Sequence, residues 1–171
     1  MRALAPIQKV DFALSSLCLG HRFNREVATC SRWISHSGDG HMYLAVGVLL
    51  ALLGGDAGVT FFFTALVAFA LELPAYILLK RLFRRNRPSH IPSFITPSDR
   101  YSMPSGHTAA ACLMATLLSH YFPSFAVIYW TWAGCIGLSR VLLGVHFFSD
   151  IVAGTVLGIG SAILVLDWAV V

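Results

Sequence analysis

The chain has 171 residues, enough for one domain with a sizeable core, but its composition excludes an ordinary soluble protein. Hydrophobic residues make up 57% of the chain and charged residues only 12%, and its mean hydropathy is +0.73; soluble domains carry about 25% charged residues. The formal net charge of +4 favours an anionic partner, and the basic residues lack the aromatic interleaving of nucleic-acid readers. We therefore predict an all-α membrane protein that crosses the bilayer several times and has no nucleic-acid partner.

The N-terminal part is predicted to be an interfacial region over residues 1–40, followed by a membrane domain over residues 41–171. Two amphipathic helices are indicated within residues 7–36, and Asn24 is a plausible cap of the second. Neither is long enough to cross about 30 Å of hydrocarbon, so both are expected to lie in the membrane interface. Their cations would then face lipid head groups: Lys9, Arg22, Arg25 and Arg32.

Five apolar stretches predict membrane spans after a turn at residues 37–40. They cover residues 41–54, 57–80, 106–122, 124–143 and 148–170, with Glu72 and Pro74 interrupting the second. The first would rise only about 21 Å as a helix, which is short for a span. The second span ends, the third begins and the fourth ends at the same end of the bundle. The polar segments beside them are therefore expected to meet there.

The pair His146 and Asp150 is a candidate nucleophilic site, because residues four apart share one face of a helix. A hydrogen bond from one ring nitrogen to the carboxylate would orient the imidazole and leave the other nitrogen free to attack. A helix cap beside a structural histidine is the alternative interpretation. Arg140, six residues earlier, is a candidate phosphate ligand, with snorkelling towards head groups as its alternative.

A second candidate group is Ser105-Gly106-His107, where a long apolar helix is predicted to begin. Unpaired backbone N–H groups at a helix N-terminus attract anions, and Gly106 has no side chain to block a close approach. His107 is then placed to act as a general acid. A simple helix cap is the alternative for this group.

Other ionisable residues near these segments have two possible roles each. Glu72 lies inside a predicted span and is either part of the site or a buried structural group. Asp39 and His41 either line the mouth of the site or close the glycine-rich turn. A run of three arginines after the second span, Arg81, Arg84 and Arg85, is predicted to face the membrane surface as a basic cluster.

Taken together, these residues resemble the three-part signature of the type 2 phosphatidic acid phosphatase (PAP2) superfamily. The matching segments are Lys80 with Arg87-Pro88, then Pro104-Ser105-Gly106-His107, then Ser139-Arg140 with His146 and Asp150. The resemblance covers about residues 38–165. Members of this family often have six spans in a helical core, whereas this sequence indicates five and an interfacial region.

The resemblance implies a metal-independent membrane phosphatase without a cofactor, acting on a lipid phosphate or pyrophosphate in the bacterial inner membrane. By motif position, His146 would form a phosphohistidine, Asp150 would orient it, and His107 would serve as acid and later activate water. The residues that would hold the phosphoryl oxygens are Lys80, Arg87, Ser105, Gly106 and Arg140. A prenyl pyrophosphate such as undecaprenyl pyrophosphate is the leading substrate.

Several alternatives remain open at this point. The lipid could be phosphatidylglycerophosphate, phosphatidic acid or lipid A phosphate, or the phosphoryl group could pass to a second lipid in a phosphotransferase. A non-enzymatic binder of anionic lipids needs no oriented nucleophile, and a haloperoxidase would not be built on apolar spans. The oligomeric state is open. Because the cations outside the motifs cluster at the active-site end, the positive-inside rule favours the cytoplasmic face for the site.

Overall fold

The structure is a computed structural model that describes residues 5–20, 24–89, 91–97 and 99–169. This part of the chain forms seven α-helices and a 3₁₀ turn, Pro123–Phe125. The helices are α1 Ala5–Leu19, α2 Asn24–His36, α3 Gly40–Leu53, α4 Gly55–Phe83, α5 Gly106–Tyr121, α6 Ala126–Leu142 and α7 Phe148–Ala169. The described residues include no strand, and the prediction of an all-α fold is confirmed.

The helices α3 to α7 follow the five predicted spans closely. Among the residues that the structure describes, three segments are long and apolar enough to cross a membrane, namely α4, α7 and the stretch Pro123–Leu142 that contains α6. α3 and α5 are shorter, with 14 and 16 residues. α4 is not interrupted at Pro74 as the sequence suggested, but continues through it for 29 residues. Proline is tolerated inside membrane helices because neighbouring groups satisfy the freed backbone carbonyl.

α5 is the central helix of the bundle and packs against α4, α6 and α7. Its side chains Leu113, Met114 and Leu117 are almost completely buried. The outer faces of the long helices instead carry exposed large apolar side chains, such as Leu78 on α4 and Val156 on α7. A bundle with apolar residues both inside and outside is the arrangement expected of a protein surrounded by lipid.

Two glycines of α7 allow it to pack closely on α5. A side chain at Gly154 would lie 2.5 Å from the carbonyl oxygen of Ser105, and one at Gly158 would lie 2.1 Å from that of Ala109. Small residues four apart are a common device for close helix packing in membranes. This contact brings the start of α7 against the start of α5, where the backbone N–H of Ser105 donates to the carbonyl of Asp150 at 3.0 Å.

The N-terminal helices α1 and α2 pack on the bundle beside α6, and α1 also contacts α7. α1 turns a polar face inward, since Asp11 and Ser15 are buried whereas Val10 and Leu17 are exposed. α2 begins at Asn24, the residue predicted to cap it, and has Glu26 in its first turn. A short turn then leads from α2 into α3 and brings Asp39 to the N-cap of α3.

Candidate active site

The candidate site lies at the end of the bundle where α4 and α6 end and where α5 and α7 begin. The structure brings the predicted residues of all three segments together there. Arg87 contacts His146, Ser105 contacts Asp150 through the backbone, and Arg140 shares a cavity with His107 and Asp39. Glu72 lies deeper, in a second cavity that also reaches His107.

His146 lies in the loop between α6 and α7 and is only 2% exposed. Its Nδ1 faces Oδ2 of Asp150 at 3.5 Å, an ion-pair distance longer than a normal hydrogen bond. Its Nε2 lies 3.3 Å from Nη1 of Arg87. The ring is therefore held between a carboxylate and a guanidinium, with Nε2 on the side of the basic residues.

Burial lowers the pKa of His146 to about 4, because surroundings of low dielectric constant disfavour the imidazolium ion. Asp150 opposes this effect, and the nearby charges of Arg87 and Arg140 add to it. The imidazole is consequently neutral near pH 7. A neutral ring is the form that can attack as a nucleophile.

The loop that carries His146 depends on Gly144. This residue has a φ of 72°, and a side chain there would lie 2.1 Å from the carbonyl oxygen of Pro92. Glycine reaches this left-handed conformation without steric cost. The loop therefore packs closely on the polar segment before α5. The backbone N–H of Phe94 in that segment also donates to the carbonyl of Leu143 at 3.0 Å.

Asp150 is completely buried and has both oxygens engaged. Oδ1 accepts a hydrogen bond from Nη1 of Arg85 at 2.8 Å, and Oδ2 accepts one from the backbone N–H of Phe147 at 2.8 Å. These contacts fix the carboxylate at the first turn of α7 beside His146. Asp150 is thus suited to hold the orientation of the imidazole, the task that the spacing of the two residues predicts.

Arg85 is not part of a membrane-facing cluster, and that prediction was wrong. Its side chain is 4% exposed, whereas Arg81 and Arg84 are exposed as predicted. Nη2 of Arg85 contacts Oδ2 of Asp11 in α1 at 2.6 Å, and its guanidinium lies over the ring of Phe147 at 4.4 Å. A buried arginine needs such partners, and here it links two carboxylates 139 residues apart in the chain.

Ser149 completes the contact between α1 and α7. Its hydroxyl donates to Oδ2 of Asp11 at 2.5 Å, its backbone N–H donates to Oδ1 at 3.1 Å, and its Oγ also contacts Nη1 of Arg85. No motif or local pattern in the sequence identifies Asp11, Arg85 and Ser149 as a group. The sequence indicates only that a charged residue inside an apolar bundle needs a partner, because an unpaired charge there is energetically costly. It does not indicate which residue that partner is.

Lys80 and Arg87 share a partner that the sequence did not reveal, Asp99. Nζ of Lys80 lies 2.5 Å from Oδ1 of Asp99, and Nη2 of Arg87 lies 2.8 Å from the same oxygen. Tyr76 donates its hydroxyl to Oδ2 at 2.8 Å. Because Arg87 also contacts His146, the carboxylate of Asp99 occupies a position close to the candidate nucleophile, among donors suited to phosphate.

Asp99 stays ionised over the whole physiological range. Burial alone would raise its pKa, but the hydrogen bonds from Lys80, Tyr76 and Arg87 outweigh burial and hold the pKa at about 2. An ionised carboxylate therefore faces these two basic residues at every pH at which the protein would be assayed.

The first turn of α5 has the features expected of an anion-binding helix start. The backbone N–H groups of Gly106, His107 and Thr108 donate to no acceptor among the described residues, whereas that of Ser105 donates to Asp150. Ser105 is buried, and its Oγ accepts a hydrogen bond from Thr108 and does not cap the helix. Gly106 packs against the ring of Tyr76, which a side chain there would approach to 2.9 Å.

His107 is paired with Asp39 across the site. Its Nε2 lies 3.1 Å from Oδ1 of Asp39, whose Oδ2 contacts Nδ1 of His36 at 2.7 Å. Burial would raise the pKa of Asp39, but hydrogen bonds to His36 and His107 outweigh burial and lower the pKa below its usual value. Asp39 thus has a direct contact in the site. Nothing in the sequence indicates that His36 is involved, because it belongs to no motif and two turn residues separate it from Asp39.

Arg140 is buried near the end of α6 and keeps donors free for a ligand. Its Nη1 donates to Oγ of Ser35 in α2 at 2.6 Å, while its Nε has no hydrogen-bond partner in the described part of the chain. A cavity of about 210 Å³ lies between Arg140, His107 and Asp39, with Arg32 and His36 at its other side. Most of the residues that line this cavity are polar or charged, and the buried guanidinium of Arg140 among them suits an anion.

Two further histidines are exposed. His41 is exposed on α3, and His120 is exposed near the far end of α5. Arg22 lies outside the described residues. No group of three or more potential metal ligands occurs among the residues that the structure describes.

The fold and the site together define an all-helical membrane protein with a buried, neutral histidine beside a cluster of cations suited to phosphate. Residues 57–170 match the family model of the PAP2 superfamily. The chain belongs to this superfamily and is a membrane phosphatase.

Two curated relatives illustrate the similarity at the level of sequence. The chain is 38% identical over 137 residues to decaprenylphosphoryl-5-phosphoribose phosphatase of Mycobacterium tuberculosis strain H37Rv, covering 75% of this chain and 72% of that protein. It is 33% identical over 89 residues to lipid A 1-phosphatase of Rhizobium etli, covering 47% of this chain and 38% of that protein.

Two solved structures share the fold. The PAP2 type phosphatidylglycerolphosphate phosphatase of Bacillus subtilis superposes with a TM-score of 0.80 at 24% identity, over 98% of this chain and 89% of that chain. LpxE of Aquifex aeolicus superposes with a TM-score of 0.78 at 26% identity, over 91% of this chain and 94% of that chain. The first of these covers α1 and α2 as well as the bundle.

Proposed function

We propose that this chain hydrolyses a lipid phosphate through a phosphohistidine formed on His146. The observation that carries the proposal is the position of its ring, with Nδ1 towards Asp150 and Nε2 at 3.3 Å from the guanidinium of Arg87. A phosphate held by that guanidinium would present its phosphorus to the free nitrogen. Positioning of this kind supplies much of the rate enhancement in phosphoryl transfer.

In the first step, Nε2 of His146 forms a bond to phosphorus as the bond from phosphorus to the lipid oxygen breaks. His107 gives its proton to that oxygen, so the lipid leaves as an alcohol. The proton on Nδ1 of the phosphorylated ring stays directed at Asp150, whose negative charge stabilises the positive imidazole. Asp39 stabilises the protonated form of His107 before the transfer.

In the second step, His107 accepts a proton from water and the resulting hydroxide attacks the phosphohistidine. The nitrogen–phosphorus bond breaks, phosphate is released, and both histidines return to their starting forms. The developing negative charge falls on the phosphoryl oxygens, where preorganised donors act most strongly. We assign these donors to Lys80, Arg87 and Arg140, to the hydroxyl of Ser105 and to the backbone N–H of Gly106. This assignment requires no metal.

The substrate class we propose is a membrane lipid that carries a terminal phosphate or pyrophosphate. The relatives named above act on lipid-linked phosphates according to their names, and the exposed apolar faces of the helices suit a substrate whose chains stay in lipid. The resemblance in sequence by itself implies undecaprenyl pyrophosphate as the first substrate to test. Phosphatidylglycerophosphate, phosphatidic acid and lipid A phosphate belong in the same panel of substrates.

We also propose an inner-membrane location with the site at the cytoplasmic face. Arg85 no longer counts as topological evidence because it is buried, but Lys9, Arg25, Arg32, Arg81, Arg84 and Arg100 are exposed at this end. We retain the division into an interfacial region over residues 1–40 and a membrane domain over residues 41–171. Labelling of a cysteine introduced at Arg100 by an impermeant thiol reagent tests the orientation, since labelling of intact cells would place the loop outside.

The function is tested with purified protein in detergent and lipids labelled in the terminal phosphate. We expect phosphate release by the wild type and its loss in His146→Ala, with His120→Ala at the far end of α5 as the matched control. Release that survives in His146→Ala would refute the assignment. Label that appears in a lipid acceptor and not in free phosphate would identify a phosphotransferase instead.

A further inference from the structure

A second cavity extends from the site along the inner side of α4, away from the basic residues. It has a volume of about 430 Å³ and lies between α3, α4 and α5. Gly106 and His107 line one end, and Phe69, Leu73 and Ala110 line apolar parts of its wall. Because His107 faces the leaving oxygen in the proposed reaction, this cavity is where the leaving group would lie.

Two polar side chains in this cavity have no partner within the described part of the chain. Glu72 on α4 is 5% exposed and makes no hydrogen bond or ion pair with any described residue. Tyr43 on α3 is also 5% exposed, and its hydroxyl is buried without a hydrogen-bond partner. Buried polar groups are nearly always hydrogen-bonded in folded proteins, so two such groups in one cavity mark a place where a polar ligand can be held.

The position of Glu72 indicates which part of the ligand it would meet. Tyr76 packs directly against Gly106, and Glu72 lies one helical turn before Tyr76 on α4. One turn is about 5.4 Å, the length of a few bonds beyond the ester oxygen. Glu72 is therefore suited to contact a group on the first carbons of the leaving alcohol and not the phosphate itself.

We propose that Glu72 and Tyr43 form a specificity site for hydroxyl groups on the leaving alcohol, which would be a glycerol or sugar unit bearing the lipid. This proposal rests on the proposed phosphatase function and narrows its substrate class. A hydroxyl can donate to the carboxyl group of Glu72 and accept from the hydroxyl of Tyr43. A prenyl phosphate, the leaving group of a prenyl pyrophosphate, carries no such hydroxyl and would leave both groups unpaired.

The cavity also explains why an enzyme of this design would discriminate between lipids. A site built to hydrogen-bond a hydroxyl disfavours an analogue without it, because its own buried polar groups then lose their partners. The apolar walls at Phe69 and Leu73 continue the cavity for the attached acyl or prenyl chain. The polar residues Glu72 and Tyr43 would thus meet a hydroxylated linker next to the phosphate, and the apolar residues would meet the chain beyond it.

The test compares two substrates that differ by one oxygen atom, lysophosphatidic acid and its 2-deoxy analogue, presented in the same detergent. We expect the wild type to prefer the hydroxylated substrate by about ten- to a hundredfold in kcat/KM. Glu72→Leu is expected to reduce this preference to about one. Glu72→Gln, which keeps the size and part of the hydrogen bonding, and Tyr43→Phe should each give an intermediate preference.

The control is Glu26→Gln, which alters an exposed carboxylate on α2 and should keep the wild-type preference. Equal use of both substrates by the wild type, or a preference that Glu72→Leu and Glu72→Gln leave intact, would overturn the specificity site while the phosphatase function stands. No phosphate release from either substrate or from the wider lipid panel would instead overturn the proposed function. If Glu72→Leu does not fold, Glu72→Gln and Tyr43→Phe decide the matter.

Discussion

The carboxylate of Asp11 lies 2.6 Å from Nη2 of Arg85, in a contact between the N-terminal helix and the loop after α4. The other terminal nitrogen of Arg85 donates to Asp150, which faces His146. Both side chains of the Asp11–Arg85 pair are almost fully buried. α1 is thus joined to the candidate nucleophile through one guanidinium.

We predict that Asp11→Asn destabilises the protein and lowers kcat more than it raises KM. Arg85 keeps its contact with Asp150 in this variant but loses the charge of its second buried carboxylate, a loss that typically costs about 1–3 kcal/mol. The displaced guanidinium would also shift Asp150. Thermal unfolding in detergent and steady-state kinetics measure the two effects. Lys9→Gln on the exposed side of the same helix is the control, and wild-type behaviour of Asp11→Asn would contradict this role.

The close contact of α5 and α7 gives a second prediction. Gly158→Ala would place a methyl group 2.1 Å from the carbonyl oxygen of Ala109, so α7 must move away from α5. Overpacking of this kind costs about 1–3 kcal/mol, and we expect a lower unfolding temperature together with reduced activity. Gly160→Ala on the same helix meets no atom within 4 Å and is the matched control. Equal stability of the two variants would show that the glycine contact is unimportant.

A third prediction concerns stability against pH. Burial lowers the pKa of His146 to about 4, whereas the unfolded chain would have the ordinary histidine value of 6.5. Between these values the unfolded state binds more protons than the folded state, so stability falls as the pH decreases from 6.5 towards 4. His146→Gln should lose part of this dependence. Unfolding temperatures measured at pH 7.5 and 4.5 test it, and identical slopes for both proteins would contradict a buried neutral histidine.

Asp99 gives a fourth prediction, because it contacts both Lys80 and Arg87 at the position expected for phosphate. Orthovanadate, which resembles the transition state of phosphoryl transfer, must displace or share these donors. We expect Asp99→Asn to bind vanadate more tightly, measured as a lower inhibition constant. Since its pKa is about 2, Asp99 should compete equally from pH 6 to pH 8. Asp56→Asn at the opposite end of α4 is the control, and weaker inhibition of Asp99→Asn would show that Asp99 positions the cations instead.

The sequence predicted the helices well, and it named motif residues that the structure brings to one end of the bundle. Apolar stretches long enough for a helix have few alternatives in a membrane protein, so α3 to α7 could be located from hydropathy. The histidines and cations were located by their spacing. Spacing in the sequence does not reveal which charged residues pair in the folded protein. Asp11 and Arg85 are 74 residues apart, and Lys80 and Asp99 are 19 apart. These partners are determined by helix packing and loop shape.

The same limitation explains the error at Arg85. Three arginines in a short run after a membrane helix resemble a surface cluster by composition. Arg84 takes a left-handed conformation, with a φ of 45°, at the end of α4, and the following residue is buried beneath the loop. A single backbone turn therefore separates an exposed arginine from a buried one, and composition does not show it.

The central claim is that His146 carries the phosphoryl group during the reaction. The most direct measurement uses His107→Ala with p-nitrophenyl phosphate, whose leaving group needs no acid, so that the first step proceeds while water activation is impaired. Mass spectrometry of the protein quenched at alkaline pH should then find a phosphoryl group on His146. A phosphoryl group on another residue, or rapid nitrophenol release with none on the protein, would contradict the account.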